Sequence, residues 1–101
     1  DPSEPFESMA RTYSLVVLNR GLAHRYKLMR SMIEDYSIDG AVFHSTRSCK
    51  PYSMGQYDMK KRFVDELGIK SVIIEADTTD PRNYAEGPTQ TRLEAFLESL
   101  A

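Results

Sequence analysis

The chain has one cysteine, Cys49, and no tryptophan among its 101 residues. A single thiol can neither close an internal disulfide nor hold a metal unaided, so a disulfide-stapled secreted domain is excluded and a reducing, cytoplasmic setting is expected. No apolar run approaches the roughly 20 residues that span a bilayer, so no helix of this chain is expected to cross one. Basic charge is not in excess either. Thirteen Lys and Arg against fifteen Asp and Glu leave a net charge of −2, and that balance offers no electrostatic case for nucleic acid or an anionic membrane as partner. Glycine and proline number five each, too few for a low-complexity linker. What remains is an ordinary globular composition, 41% hydrophobic and 28% charged, long enough for one modest core.

The opening Asp1-Pro-Ser-Glu-Pro5 lacks an initiator Met, and the chain reads as a single α/β domain or as the C-terminal fragment of one. Residues 1–37 form a helical lead-in and 38–101 a strand–helix–strand–helix unit. Phe6, Met9, Ala10, Tyr13, Val16 and Val17 recur at helical spacing over 6–18, with Pro5 suited to a first turn. A second helix is expected over 22–36, with Leu22, Tyr26, Met29, Ile33 and Tyr36 on one stripe. The apolar run 38–44, entered through Asp39-Gly40, reads as a buried strand. A polar loop follows over 45–52. The third helix is expected from about Ser53 to Leu67, turning Met59, Phe63, Val64 and Leu67 inward and stopping at Gly68. Residues 71–75 form the second strand, 77–84 a turn-rich loop. A last helix opens at Pro88, with Leu93, Phe96, Leu97 and Leu100 facing the core.

Two strands joined through a helix imply a parallel crossover, hence a three-layer, Rossmann-like α/β sheet flanked by helices. Two strands alone make a thin sheet, so further strands are expected upstream. In open parallel sheets ligands collect beyond the carboxyl ends of the strands. Two loops leave the strands at that edge. The first carries His44, Ser45, Arg47, Ser48, Cys49, Lys50 and Ser53; the second carries Glu75, Asp77 and Asp80. The chemistry-bearing side chains are therefore expected on one rim. The positive end of a helix beginning at Ser53 would favour a Cys49 thiolate, whereas a lone cysteine in such a fold also serves as inert packing.

A Cys49 thiolate has three candidate uses. A phosphatase of the Cys-x5-Arg type needs arginine six positions on, where this chain has Gly55, so that use fails. A cysteine hydrolase needs a histidine to take the proton; His44 is near in sequence, but no oxyanion donor can be named. Metal ligation is the third, with Cys49 as one of several thiolates around an iron–sulfur cluster. Zinc on His44 and Cys49 alone would be under-coordinated. His44 reads equally as a strand-end histidine bonded to backbone. Arg47 and Lys50 read as anion-binding or as solvated, and Asp77 and Asp80 as turn and cap residues before Pro81.

The stretch His44-Ser-Thr-Arg-Ser-Cys-Lys-Pro-Tyr-Ser-Met-Gly-Gln56, with Glu75-Ala-Asp-Thr-Thr-Asp-Pro-Arg-Asn-Tyr84 and Thr91-Arg-Leu-Glu-Ala-Phe96, resembles the C-terminal part of the 2-hydroxyacyl-CoA dehydratase and benzoyl-CoA reductase subunit family. Leu18-Asn-Arg-Gly-Leu22 and Tyr36-Ser-Ile-Asp-Gly40 extend the likeness over nearly the whole chain. Thr46 stands where many members carry Asn.

The resemblance implies a 4Fe–4S cluster held by three cysteines, the last matching Cys49 and two lying outside this chain. It implies a homologous second iron–sulfur subunit, an ATP-hydrolysing iron–sulfur activator, and an acyl-CoA or aromatic CoA thioester substrate in anaerobic metabolism. Ser48 and Ser53 are then candidate donors to the Cys49 sulfur, and Arg47 or Lys50 would raise the cluster potential if close. The isolated chain is expected to be inactive. The competing expectation is a metal-free α/β module that docks a partner or an anionic ligand through loop 45–53.

Overall fold

Pro5 opens the first helix, α1 (Pro5–Ser14), where its missing N–H leaves no bond unmade. The structure is a computed structural model that describes residues 1–101. Helical spacing runs on to Val17, yet α1 stops at Ser14 and a single 3-10 turn takes Val17–Asn19. Side chains compete for the carbonyls there: the Ser14 hydroxyl donates to the Arg11 carbonyl, and the Asn19 amide to that of Tyr13 at 2.9 Å. The second helix, α2 (Leu22–Tyr36), buries Tyr26 and Ile33. Tyr36, expected on the same stripe, is 74% exposed because nothing covers the last turn.

The strands β1 (Gly40–Thr46) and β2 (Lys70–Ala76) pair in parallel, in register from Gly40 opposite Lys70 to Thr46 opposite Ala76. Both run further toward their carboxyl ends than their apolar residues indicate. The ladder continues until the Arg47 N–H reaches the Ala76 carbonyl at 3.1 Å, so His44, Ser45 and Thr46 belong to the strand and only Arg47 onward to the loop. Between the strands, one turn of helix, α3 (Lys50–Ser53), precedes α4 (Gln56–Leu67). The expected continuous helix from Ser53 is thus broken. Gly55 causes the break, since its φ of +83° lies in the left-handed region that side chains resist. A Cβ on Gly55 would also lie 2.7 Å from Leu22 Cδ1.

After β2 a 3-10 turn (Pro81–Asn83) leads to α5 (Glu86–Leu100), which starts before Pro88 and accommodates it in the first turn. Helices α2 and α4 cover one face of the sheet. There Phe63 sits 2% exposed, its ring 5.4 Å from Phe43 and 6.1 Å from Tyr26, with Met59, Ile33 and Ile73 around it. Val64 turns outward instead, half exposed. Helix α5 covers the other face, so close over Gly40 that a Cβ there would meet Phe96 Cζ at 2.8 Å. Leu93 and Phe96 are half-buried, but Leu97, expected in the core, is 62% exposed and Leu100 is also exposed. The result is the expected α/β arrangement, a parallel two-stranded sheet flanked by helices.

Only ten of the 101 residues are buried, and α1 buries none. The Cα radius of gyration is 16.6 Å, against about 13 Å for a self-contained domain of this length. A core this thin depends on single side chains. Phe63→Ala should cost about 3–5 kcal/mol and leave little folded protein in a urea titration. Gly55→Ala should cost about 1–2 kcal/mol from backbone strain alone, read as a lower urea midpoint. An unchanged midpoint would mean that the break between α3 and α4 needs no left-handed residue.

Candidate functional site

Because β1 and β2 end level, the loops that leave them emerge side by side at the carboxyl rim. Asp77 ties them together. One of its oxygens accepts the Thr79 N–H at 2.9 Å, the Thr79 hydroxyl at 2.8 Å and the Asp80 N–H at 3.3 Å, which builds a turn in the second loop. Its other oxygen accepts the Ser48 N–H at 2.9 Å and so reaches across to the first loop. These donors, the Thr79 amide foremost and Ser48 next, hold the Asp77 carboxyl far below the usual carboxylate range. A second tie runs in parallel: the Arg47 guanidinium meets the Glu75 carboxylate at 3.1 Å.

Cys49 follows Ser48 directly and is half-buried at this rim. Its own N–H donates to the Thr46 carbonyl at 3.1 Å, which closes a tight turn off the end of β1, and its carbonyl accepts from the Ser53 N–H. The thiol precedes a helix of only four residues, so the expected field of a long helix beginning at Ser53 is largely missing. The Ser53 hydroxyl donates to the Thr46 carbonyl at 2.7 Å. Its one proton is therefore engaged with backbone and not aimed at sulfur. Ser48 lends its amide to Asp77. Arg47 has its charge matched by Glu75, while Lys50 is exposed.

His44 does not meet Cys49 in a hydrogen bond. Its Nδ1 lies 3.5 Å from the Thr46 hydroxyl, and its ring stands edge-on to Tyr52 with centroids 6.3 Å apart. Ser45 is half-buried on the strand. Asp80 behaves as a cap: it accepts the Arg82 N–H at 3.1 Å and pairs with the Arg82 guanidinium at 2.8 Å, and that guanidinium lowers its carboxyl pKa. No three His, Cys, Asp or Glu side chains converge to hold a metal ion. Any metal centre on Cys49 must take its remaining ligands from beyond these residues.

Gln56 was invisible to spacing. Its amide nitrogen donates to the His44 carbonyl at 2.8 Å, and together with Ser53 it covers the upper edge of β1. A glutamine after glycine carries no periodic signal, and only the turn at Gly55 aims it at the strand. Beside the rim, a polar cleft of about 150 Å³ is lined by Arg47, Glu75, Asn83, Thr89 and Arg92 among others.

Comparison with known proteins places these features in context. Residues 1–100 match the family model described as 2-hydroxyglutaryl-CoA dehydratase, D-component. The chain is 34% identical over 85 residues to (R)-2-hydroxyglutaryl-CoA dehydratase subunit alpha of Acidaminococcus fermentans, covering 84% of this chain and 17% of that protein. It is 30% identical over 97 residues to lactoyl-CoA dehydratase subunit alpha of Anaerotignum propionicum, covering 96% and 23%. A benzoyl-CoA reductase subunit of Thauera aromatica is 29% identical over 100 residues, covering 99% and 23%. The chain thus spans about a fifth of the length of these curated relatives.

The tie at Asp77 has a definite pH behaviour. Its folded pKa lies below the unfolded value near 3.9, so its contribution is fully present above that value and is lost as pH falls through the folded pKa. Between pH 5 and 8 the Ser48 amide should exchange with solvent slowly, after correction for intrinsic rate. Asp77→Asn places an N–H₂ against one set of donors and should speed Ser48 exchange throughout that range, as followed by NMR. Identical rates in the variant would show that the loops hold together without the carboxylate.

Proposed function

This chain belongs to the 2-hydroxyglutaryl-CoA dehydratase D-component family, and on that premise we propose that it is the C-terminal lobe of a cytoplasmic iron–sulfur subunit acting on CoA thioesters. In this reading Cys49 supplies one thiolate to a 4Fe–4S cluster, and two cysteines outside these residues supply others. A homologous subunit and an ATP-hydrolysing iron–sulfur activator complete the enzyme, and the substrate is a 2-hydroxyacyl-CoA or an aromatic CoA thioester. Residues 1–37 act as a helical lead-in and 38–101 as the unit that carries the rim.

The observation that supports the reading best is the position of Cys49. It is the chain's only thiol, it is half-buried rather than sealed, and its loop is bonded through Ser48 to the neighbouring loop. When bound, such a cluster would supply single-electron transfer. The residues of this chain do the holding. Asp77 and Arg47 keep the loop from swinging away, and the Thr46 carbonyl fixes the Cys49 backbone. A thiolate at a preset position loses little freedom on ligation, which favours binding. The Arg47–Glu75 pair is net neutral, so Lys50 is the nearest uncompensated cation in sequence, and it would shift a cluster potential upward.

The polar cleft beside Arg47 favours a second reading, an anion-binding module that uses no metal. Arg92 and the start of α5 flank it beside the neutralised Arg47–Glu75 pair, so Arg92 is the cation there with charge left for a phosphate. The two readings separate experimentally. A family-length polypeptide carrying these residues, made without oxygen, should contain about four iron and four sulfide per subunit, and Cys49→Ser should lower both sharply with the fold intact by circular dichroism. Full iron in the variant overturns the assignment of Cys49. On the cluster reading Arg92→Ala should leave iron unchanged, whereas Arg47→Ala, which removes one tie on the Cys49 loop, should lower it in part. Phosphate binding by a metal-free protein, lost in both variants, would favour the module instead.

A further inference from the structure

The free edge of β1 is finished on one half only. Backbone groups of successive strand residues point alternately to the two sides. Arg47 bonds to Ala76 across the ladder, so Ala41, Phe43 and Ser45 face β2, while Gly40, Val42, His44 and Thr46 face away from it. On that outer side the His44 carbonyl is taken by the Gln56 amide at 2.8 Å, and the Thr46 carbonyl by the Ser53 hydroxyl and the Cys49 N–H. The N–H and C=O of Gly40 and Val42 have no such partner in a sheet of two strands. Beside them runs an apolar groove of about 320 Å³, walled by Leu22, Met29 and Ile33 of α2, by Val42, and by Met54.

Val42 itself is 54% exposed although it sits in an apolar strand. Gly-Ala-Val-Phe is apolar on both faces, the pattern of a strand inside a parallel sheet and not of one at its edge. The protein therefore presents unpaired backbone and apolar walls on one half of β1, whereas on the other half Gln56, Ser53 and the Cys49 N–H occupy the His44 and Thr46 carbonyls and leave only the N–H groups free. Its relatives are roughly four to six times as long as the stretch matched here, so polypeptide to fill the groove exists within the family.

We propose that a parallel strand from the remainder of a family-length polypeptide pairs with β1 over residues 40–43 only, and that Gln56 and Ser53 force it away from β1 at His44. The inference rests on the lobe reading above. It specifies where the sheet opens: the diverging strand leaves a crevice at the carboxyl end of β1, bordered by His44 and Tyr52, the same end from which the Cys49 turn departs. That side-chain pair is therefore a positioning device. Gln56 and Ser53 keep a third strand from closing the space that a substrate or cofactor needs.

Amide hydrogen exchange tests this on the family-length polypeptide and on the 101-residue chain. Val42 should exchange roughly a hundredfold or more slowly in the long polypeptide than in the short chain, with the Gln56 side-chain amide still bonded to the His44 carbonyl in both. Rapid Val42 exchange in both proteins overturns the proposal. So does Val42 protection that appears in the short chain as its concentration rises, which would make a second copy the occupant. Displacement of Gln56 by a strand paired through Thr46 overturns the diverging geometry. The outcome is independent of iron: Val42 protection with full iron in Cys49→Ser sinks only the cluster, and iron dependent on Cys49 with an unprotected Val42 sinks only the strand.

Discussion

One carboxylate holds the rim together. Asp77 takes amide and hydroxyl protons from Thr79 on its own loop and the Ser48 amide from the other. Without it, only the exposed Arg47–Glu75 pair would tie the two polar loops, and loops with few such bonds sample many conformations. The tie is possible only because the strands are parallel and end level, Thr46 opposite Ala76. A one-residue slip would carry Ser48 about 3.3 Å along the strand direction, outside hydrogen-bond reach of Asp77, and would turn Phe43 out of the core. Register, core and site are consequently one constraint: Phe63 packs against Phe43, that contact keeps β1 in place, and β1 delivers Cys49.

The same economy explains the short segment between α3 and α4. Gly55 breaks the helix with a left-handed residue, and Gln56 after it bonds back onto β1. The strand edge near the rim is thereby sealed by side chains of the chain's own crossover, while the edge further down stays open. Exposed apolar groups on α1, the bare Val42 and a radius of gyration above that of a closed domain agree with that asymmetry. The family relation agrees, because the dehydratase and reductase relatives are far longer than this chain.

Much of this was legible from residue order. Apolar spacing at Tyr26 and Ile33, and again at Met59 and Phe63, marked the helices that cover one face, and the two short apolar runs marked the strands. The placement of Cys49 and Asp77 on one rim followed from strand polarity alone. The misses have physical causes. Met59 and Phe63 keep their spacing whether or not the helix is broken before Gln56, so periodicity could not show the left-handed turn. Tyr36 and Leu97 satisfy a helical stripe but lie beyond the area that this small sheet covers. Strand ends were set by pairing across the ladder, which extends β1 to polar residues such as Ser45 and Thr46 that composition alone reads as loop. Ser53 looked free to serve sulfur only while the Thr46 carbonyl beside it was unseen.

The role proposed for the Cys49 thiol is metal ligation. Anomalous diffraction at the iron edge, from crystals of the family-length polypeptide grown without oxygen, measures it directly. The account predicts a cluster of iron peaks within bonding distance of Cys49 Sγ, with the Ser48–Asp77 bond retained beside it. Iron bound elsewhere, with Cys49 Sγ left as a free thiol, would contradict it.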